Sequence, residues 1–230
     1  MRCSRPSEGS VNKVRAHIFD FDGILADTER LHWQAMQDVL KPLGATFSWE
    51  RYQRIYIGFD DRDALRAAME DAGKRVDDAE LRVLVKKKAE AFLDRVSRAE
   101  IPPFPGAVDS VRAAAAAGPV ALCTGAVSGD VEPLLKGFGI RDLFAIVVTA
   151  EDVSRSKPDP ESYVLVAQKL GIPAQHCLAI EDTPHGLQAA RGAGCQTLGV
   201  AQTHAAKDLA PFADRVIESM VAFKKGSHTL

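Results

Sequence analysis

The chain has 230 residues, a formal net charge of −2, 46% apolar residues and 26% charged residues. That balance suits a globular protein with a full-sized core, built as one large domain or two small ones. It gives no reason to expect nucleic acid or an anionic membrane as partner, and no apolar run approaches the roughly 20 residues that span a bilayer.

Residues 1–13 are polar, contain Pro and Gly, lack the apolar stretch of a secretory signal, and read as a disordered tail. Residues 14–21 form a short apolar run that ends at Asp22-Gly23, the pattern of a buried strand entering a turn. From Thr28 to Glu100 the period is helical, over residues 31–40, 61–72 and 79–96, and no strand is evident before the Pro-rich stretch 101–106. The Ala-rich residues 107–117 make a helix that stops at Gly118-Pro119. Apolar runs at 119–123, 144–149, 176–180 and 195–200 predict further strands, with 215–217 a sixth. Asp159-Pro160 and Thr183-Pro184 each read as a cap followed by Pro at the first helical position, opening helices to about 170 and 194. Strands alternating with helices imply a parallel sheet covered on both faces. The division expected is a core of residues 14–27 and 101–230, interrupted by an all-helical cap at 28–100. Hinges are expected near 26–28 and 99–103.

Of the four cysteines, Cys3, Cys123, Cys177 and Cys195, none forms a CxxC pair, and no His/Cys cluster has zinc spacing. Three lie in or beside apolar runs, as small core residues do. A reduced, cytoplasmic setting is expected.

Ligands of open parallel sheets bind at the carboxyl ends of the strands, so the polar residues there carry the chemistry. The first run ends Asp20-Phe21-Asp22-Gly23, the second Cys123-Thr124-Gly125 and the fourth leads into Glu181-Asp182-Thr183; Ser156-Lys157-Pro158 follows the third. Carboxylates at i and i+2 of a strand point the same way and repel, so the pair at Asp20 and Asp22 calls for a cation. With Asp182, Glu181 and no His or Cys, an all-oxygen donor set selects a hard divalent ion, Mg²⁺. Lys157 brings a positive charge opposite it and Thr124 a hydroxyl, an assembly suited to phosphoryl transfer. Taken singly, each motif has a plainer reading. Asp22-Gly23 can be a turn, Glu181-Asp182 helix N-terminal charge, Lys157 a solvated lysine, and Thr124 the end of a strand.

Together, the stretch Asp20 to Thr28, Thr124-Gly125, Ser156 to Pro160 and Glu181 to Gly186 resemble, in order, the four motifs of the haloacid dehalogenase-like hydrolase superfamily. The likeness covers residues 14 to 200. It points to the helical-cap subgroup that includes phosphoglycolate phosphatase-like and β-phosphoglucomutase-like enzymes. The resemblance implies a Rossmann-like three-layer α/β core with an inserted helical cap. It also implies that Asp20 is the nucleophile, forming an aspartyl-phosphate, and that Asp22 is the general acid and base. Asp20, Asp22 (through its backbone carbonyl), Asp182 and Glu181 (directly or through water) would hold Mg²⁺. Thr124, Gly125 and Lys157 would hold the phosphoryl oxygens, although Gly125 stands where many relatives carry a side-chain amide. In the cap, His32 and Arg62 are candidate substrate contacts, with packed or solvated helix residues as the alternative. Lys86, Lys87 and Lys88 read as a solvated face, with one lysine reaching the cleft as the alternative; His185 reads as a surface residue, and Trp33 and Trp49 as cap core rather than substrate-stacking rings.

The expected activity is hydrolysis of a small organic phosphate monoester, such as a sugar phosphate or phosphoglycolate-like metabolite, by a monomer. A mutase would use the same residues, but the stretch Gly58 to Arg62 is one residue long against the mutase arginine loop. A dehalogenase needs neither Asp22 nor Asp182. A non-catalytic binding protein on this fold should have lost Asp20 or Asp22.

Overall fold

The protein is described by a computed structural model covering residues 13–57, 59–98 and 101–223. The expected tail (apart from Lys13), Cys3, Gly58 and part of the expected hinge at 99–103 lie outside the described residues.

Six parallel strands form one sheet in the order β3-β2-β1-β4-β5-β6. These are β1 (Ala16–Phe19), β2 (Val120–Cys123), β3 (Phe144–Val148), β4 (Cys177–Glu181), β5 (Gln196–Val200) and β6 (Arg215–Ile217). The three central strands, β2, β1 and β4, are buried along their whole length. Being covered on both faces, they read as unbroken apolar runs rather than alternating ones. Successive side chains still feed opposite layers. Phe19, Leu122 and Ile180 pack with Val111 and Ala114 on one face, while Ile18, Ala121 and Ala179 pack with Tyr163, Val166 and Ala190 on the other. The core-facing cysteines Cys123, Cys177 and Cys195 are buried and unbridged, and burial pushes the Cys123 thiol up to about 12.

Between β1 and β2 run α1 (Glu29–Leu40), α2 (Trp49–Arg51, continued by a π turn Tyr52–Tyr56), α3 (Asp61–Asp71) and α4 (Asp78–Arg98). These helices enclose a cluster of their own around Met36, Leu40, Tyr52, Tyr56, Leu65 and Leu84. Each such large apolar side chain contributes about 1.5–3 kcal/mol on burial. Trp33 and Trp49 pack against that cluster with the Arg30 guanidinium over both rings. The two connections to the sheet run side by side, joined by the bridge Ala26–Pro103 and by the Phe104 N–H on the Leu25 carbonyl at 2.9 Å.

After β2 the chain forms α6 (Ser128–Gly137), preceded by α5 (Ala107–Ala117) and followed by α7 (Glu161–Leu170), α8 (Pro184–Gly192) and α9 (Ala206–Leu209). Pro160 caps α7 rather than starting it, whereas Thr183 and Pro184 take the cap and first-turn positions expected of them at α8. The sequence does not announce α6, which carries Pro133 inside it. Glu181 is the last residue of β4, one residue past the apolar run. No helix among the described residues is long and apolar enough to cross a membrane.

Candidate active site

Strand order reverses direction at β1, which has β2 on one side and β4 on the other. The carboxyl ends of these three strands therefore splay open a crevice. Asp20 stands just beyond β1, its N–H still on the Ile180 carbonyl at 3.0 Å, so the ladder fixes the backbone that presents it. Lys157, from the loop between β3 and α7, crosses the crevice. Its ammonium lies 2.8 Å from Asp20 Oδ1, 2.6 Å from Glu181 Oε1 and 3.0 Å from the Cys123 carbonyl oxygen. The Tyr163 hydroxyl donates to the same Glu181 oxygen at 2.7 Å, and its ring lies 5.4 Å from the ammonium. Burial alone would discharge Lys157, but the Asp20 and Glu181 charges hold it protonated far above the ordinary lysine value.

Asp182 completes the acidic set. Its Oδ2 accepts from the Thr203 hydroxyl, while its Oδ1 is buried without a hydrogen-bond partner. Asp20, Glu181 and Asp182 each offer an oxygen, all within 4.8 Å of one another. Burial and their mutual repulsion push Asp20 and Asp182 well above the usual carboxylate range. An all-carboxylate set with a buried oxygen lacking a hydrogen-bond partner could hold a divalent cation, and hard oxygen donors without His or Cys fit Mg²⁺. Two glycines make room for this packing. A β-carbon on Gly23, whose φ is +76°, would lie 1.9 Å from Asp182 Oδ2, and one on Gly186 would lie 2.1 Å from the Glu181 carboxylate.

Asp22 faces the helical side. Its Oδ1 accepts from the Thr28 hydroxyl and lies 3.4 Å from His32 Nε2. His32 stacks on Phe92 with centroids 4.1 Å apart and meets Lys88 through Nδ1. An ammonium donating to Nδ1 leaves the ring proton on Nε2, directed at Asp22. Lys88 is 0% exposed and pairs with Asp61 Oδ1 at 2.7 Å. Burial of Asp22 opposes its charge, but His32, Thr28 and Lys88 outweigh this and hold its carboxyl below the usual range. Lys86 and Lys87 are exposed, as a solvated face requires; Lys88 departs from that reading because Asp61 and His32 meet it inside.

The remaining sequence candidates divide. Thr124 is buried, with Oγ1 accepting from the Ala126 N–H at 3.0 Å, and Gly125 lines the cavity beside Asp20 with open space where a β-carbon would be. His32 lines that cavity too. Arg62 does not. It is 48% exposed, donates to the Ser154 carbonyl at 3.4 Å and lines an adjoining outer groove. His185, half-buried, lies against Phe59 with centroids 5.6 Å apart. Sequence reading passed over Tyr163, Thr203, the Glu29–Tyr52 pair at 2.6 Å and the Ser156 hydroxyl donating to Asp60. Of these, Ser156 stood in a motif already singled out, and Thr203 lies just past the carboxyl end of β5.

Residues 17–200 match the family described as haloacid dehalogenase-like hydrolase. The chain is 33% identical to the fructose-1-phosphate phosphatase YqaB of Escherichia coli, over 80% of this chain and 94% of that one. It is 30% identical to the phosphoglycolate phosphatase of Shigella sonnei, over 81% of each. Among solved structures it superposes on CbbY from Rhodobacter sphaeroides in complex with xylulose-1,5-bisphosphate, with a TM-score of 0.81, 26% identity and coverage of 91% of this chain and 96% of that one.

Proposed function

The chain belongs to the haloacid dehalogenase-like hydrolase family and is a hydrolase of phosphate esters; on that premise we propose that it cleaves a small organic phosphate monoester through an aspartyl-phosphate on Asp20, with Mg²⁺ as its cofactor. The observation that carries this reading is the Lys157 ammonium bridging Asp20 and Glu181 beside the partnerless Asp182 Oδ1. One oxygen of Asp20 is steered by Lys157, leaving the other to attack phosphorus. The Asp20–phosphorus bond forms as the bond from phosphorus to the ester oxygen breaks, and Asp22 gives that oxygen its proton. Water then attacks phosphorus, Asp22 takes a proton back, and inorganic phosphate leaves with Asp20 restored. For the first step Asp22 must be protonated, which the arriving dianionic ester favours; for the second it must be ionised, the form that His32 and Thr28 stabilise.

Asp20, Asp182, the Asp22 carbonyl and Glu181, whose Oε2 accepts from the Thr183 hydroxyl at 3.5 Å, are the groups that would hold Mg²⁺. When bound, the ion offsets negative charge on the phosphoryl oxygens. Thr124, Gly125 and Lys157 are assigned to those oxygens. Residues 28–100 are read as the cap, and residues 14–27 and 101–230 as the core. The cap excludes water and brings His32 to Asp22, and an enclosed site suits small metabolites over polymers.

Phosphate release with Mg²⁺ from a panel of small monophosphates, glucose 1-phosphate included, tests the reading. Asp20→Asn is expected to lower release by at least about 10³-fold while leaving the thermal transition within a few degrees. Retained turnover in that variant rules out the nucleophile, and conversion of glucose 1-phosphate to the 6-phosphate without free phosphate makes the protein a mutase.

A further inference from the structure

The cavity beside Asp20 and Asp22 is walled on its helical side by Glu29, Tyr52, Tyr56, Asp60 and Asp61. Its volume is about 60 Å³, and a leaving group that enters it meets this wall. Three of the five wall groups are carboxylates, and none has a cation to spare for an incoming ligand. Asp61 is matched by Lys88 at 2.7 Å. Asp60 accepts the Asp63 N–H at 2.7 Å and the Ser156 hydroxyl, and its Oδ2 lies 3.5 Å from the Arg62 guanidinium. Glu29 is met by the Tyr52 hydroxyl at 2.6 Å. The lysine that lines the cavity, Lys157, is already shared between Asp20 and Glu181. The wall therefore offers hydrogen-bond acceptors and phenols, and the cations that meet its aspartates, Arg62 and Lys88, are already engaged there.

We propose that the leaving group carries hydroxyls and no second negative charge, and that Glu29 and Asp61 determine this selection. Hydroxyls donate to the free lone pairs of the two carboxylates; a second phosphate or a carboxylate placed there meets like charge in a small cavity. The outer groove, which shares Asp60, Asp61 and Gly125 with this cavity, does not reverse the balance. Its arginines Arg62, Arg66 and Arg82 are outnumbered by Asp60, Asp61, Asp78 and Glu151, and Arg66 is held by Asp78 at 2.8 Å. A mutase must retain a bisphosphate between its two transfers, so the same wall favours hydrolysis. The inference rests on the phosphatase reading above.

Matched substrate pairs differing by one negative charge test it: 2-hydroxyethyl phosphate against phosphoglycolate, glycerol 3-phosphate against 3-phosphoglycerate, and a ketohexose 1-phosphate against its 1,6-bisphosphate. With Mg²⁺-loaded full-length protein, the neutral member of each pair is expected to have at least about tenfold higher kcat/KM. Glu29→Gln and Asp61→Asn should each narrow that ratio severalfold by raising kcat/KM for the anionic member. Equal or better use of the anionic members by the parent protein overturns the inference without reference to any variant. Ratios unmoved in both folded variants overturn the assignment to Glu29 and Asp61. p-Nitrophenyl phosphate serves as a control: its hydrolysis together with a preference for anions sinks this inference alone, whereas its failure, with Asp20 unphosphorylated, sinks the phosphatase reading as well.

Discussion

Asp130 lies in the first turn of α6, almost fully buried, with both carboxylate oxygens lacking hydrogen-bond partners. Burial pushes its carboxyl from an ordinary 3.8 up to about 6, although Lys88 and His32 pull the other way. Between those two values the folded state holds a proton that the unfolded chain has released, so stability falls as pH rises through the window. Asp130→Asn removes the buried charge. It is expected to be more stable than the parent at pH 8 by about 1–3 kcal/mol, with the gap closing below about pH 4. Urea unfolding at both pH values checks this, and a parent that is the more stable protein at pH 8 contradicts it. Glu29 acts in the same direction, raised by burial and by the Asp22 charge to about 7, so the two groups together tilt the fold toward mildly acidic stability.

At the scale of elements, the turn leaving β1 and the start of α8 are built against each other. Gly23 donates its N–H to the Ala26 carbonyl at 3.1 Å, and the Gln202 side-chain amide holds the Gly23 carbonyl at 2.8 Å. On the facing side, Thr183 accepts the Gly186 N–H at 3.0 Å, a capping bond worth about 1 kcal/mol, and so sets the backbone that follows Asp182. Gly23→Ala places a methyl where Asp182 Oδ2 now lies and strains a φ of +76°. It is expected to weaken Mg²⁺ binding by about 10–100-fold and to lower the thermal transition by several degrees. Calorimetric titration with Mg²⁺ reads the first effect, and unchanged affinity would show that Asp182 is not held by this turn.

For the whole molecule, the helical unit meets the strand ends through apolar packing, with Val96 against the core and Phe59 against His185, and through exchangeable polar contacts. Ser156 donates to Asp60, Arg62 to the Ser154 carbonyl, and the paired connections at Ala26 and Pro103 tether the base. Polar contacts of this kind exchange for water more readily than a core unfolds. Ser156→Ala removes one latch while leaving Asp60 to cap α3 through the Asp63 N–H. It is expected to raise KM or lower kcat by about three- to tenfold, to speed hydrogen exchange at the start of α3, and to leave the thermal transition nearly unmoved. Kinetics and exchange identical to the parent would remove the latch from consideration.

Much of the core and the acidic centre could be read in advance, because the signals are local. A strand buried on both faces shows as an apolar run, its end shows as the polar residue where the run stops, and Thr183-Pro184 marks a helix start by the chemistry of its own first turn. The parallel topology then gathers Asp20, Thr124 and Asp182 without further information. The helix α6 escaped because Pro133 breaks the pattern that a helix displays. Lys88 read as solvated, and Arg62 stayed open between a substrate contact and a solvated residue, because the fate of a long cation depends on which carboxylate arrives beside it. The residues that meet Lys88, His32 and Asp61, lie 56 and 27 positions away in the chain, and the Glu181 that meets Lys157 lies 24 away. Local patterns were enough to place the acidic groups Asp20, Glu181 and Asp182 together at one edge of the sheet. Only the docking of helices onto that edge decided which charges are neutralised and which remain to greet a ligand, since an ion pair between distant residues exists only once packing has removed the water between them.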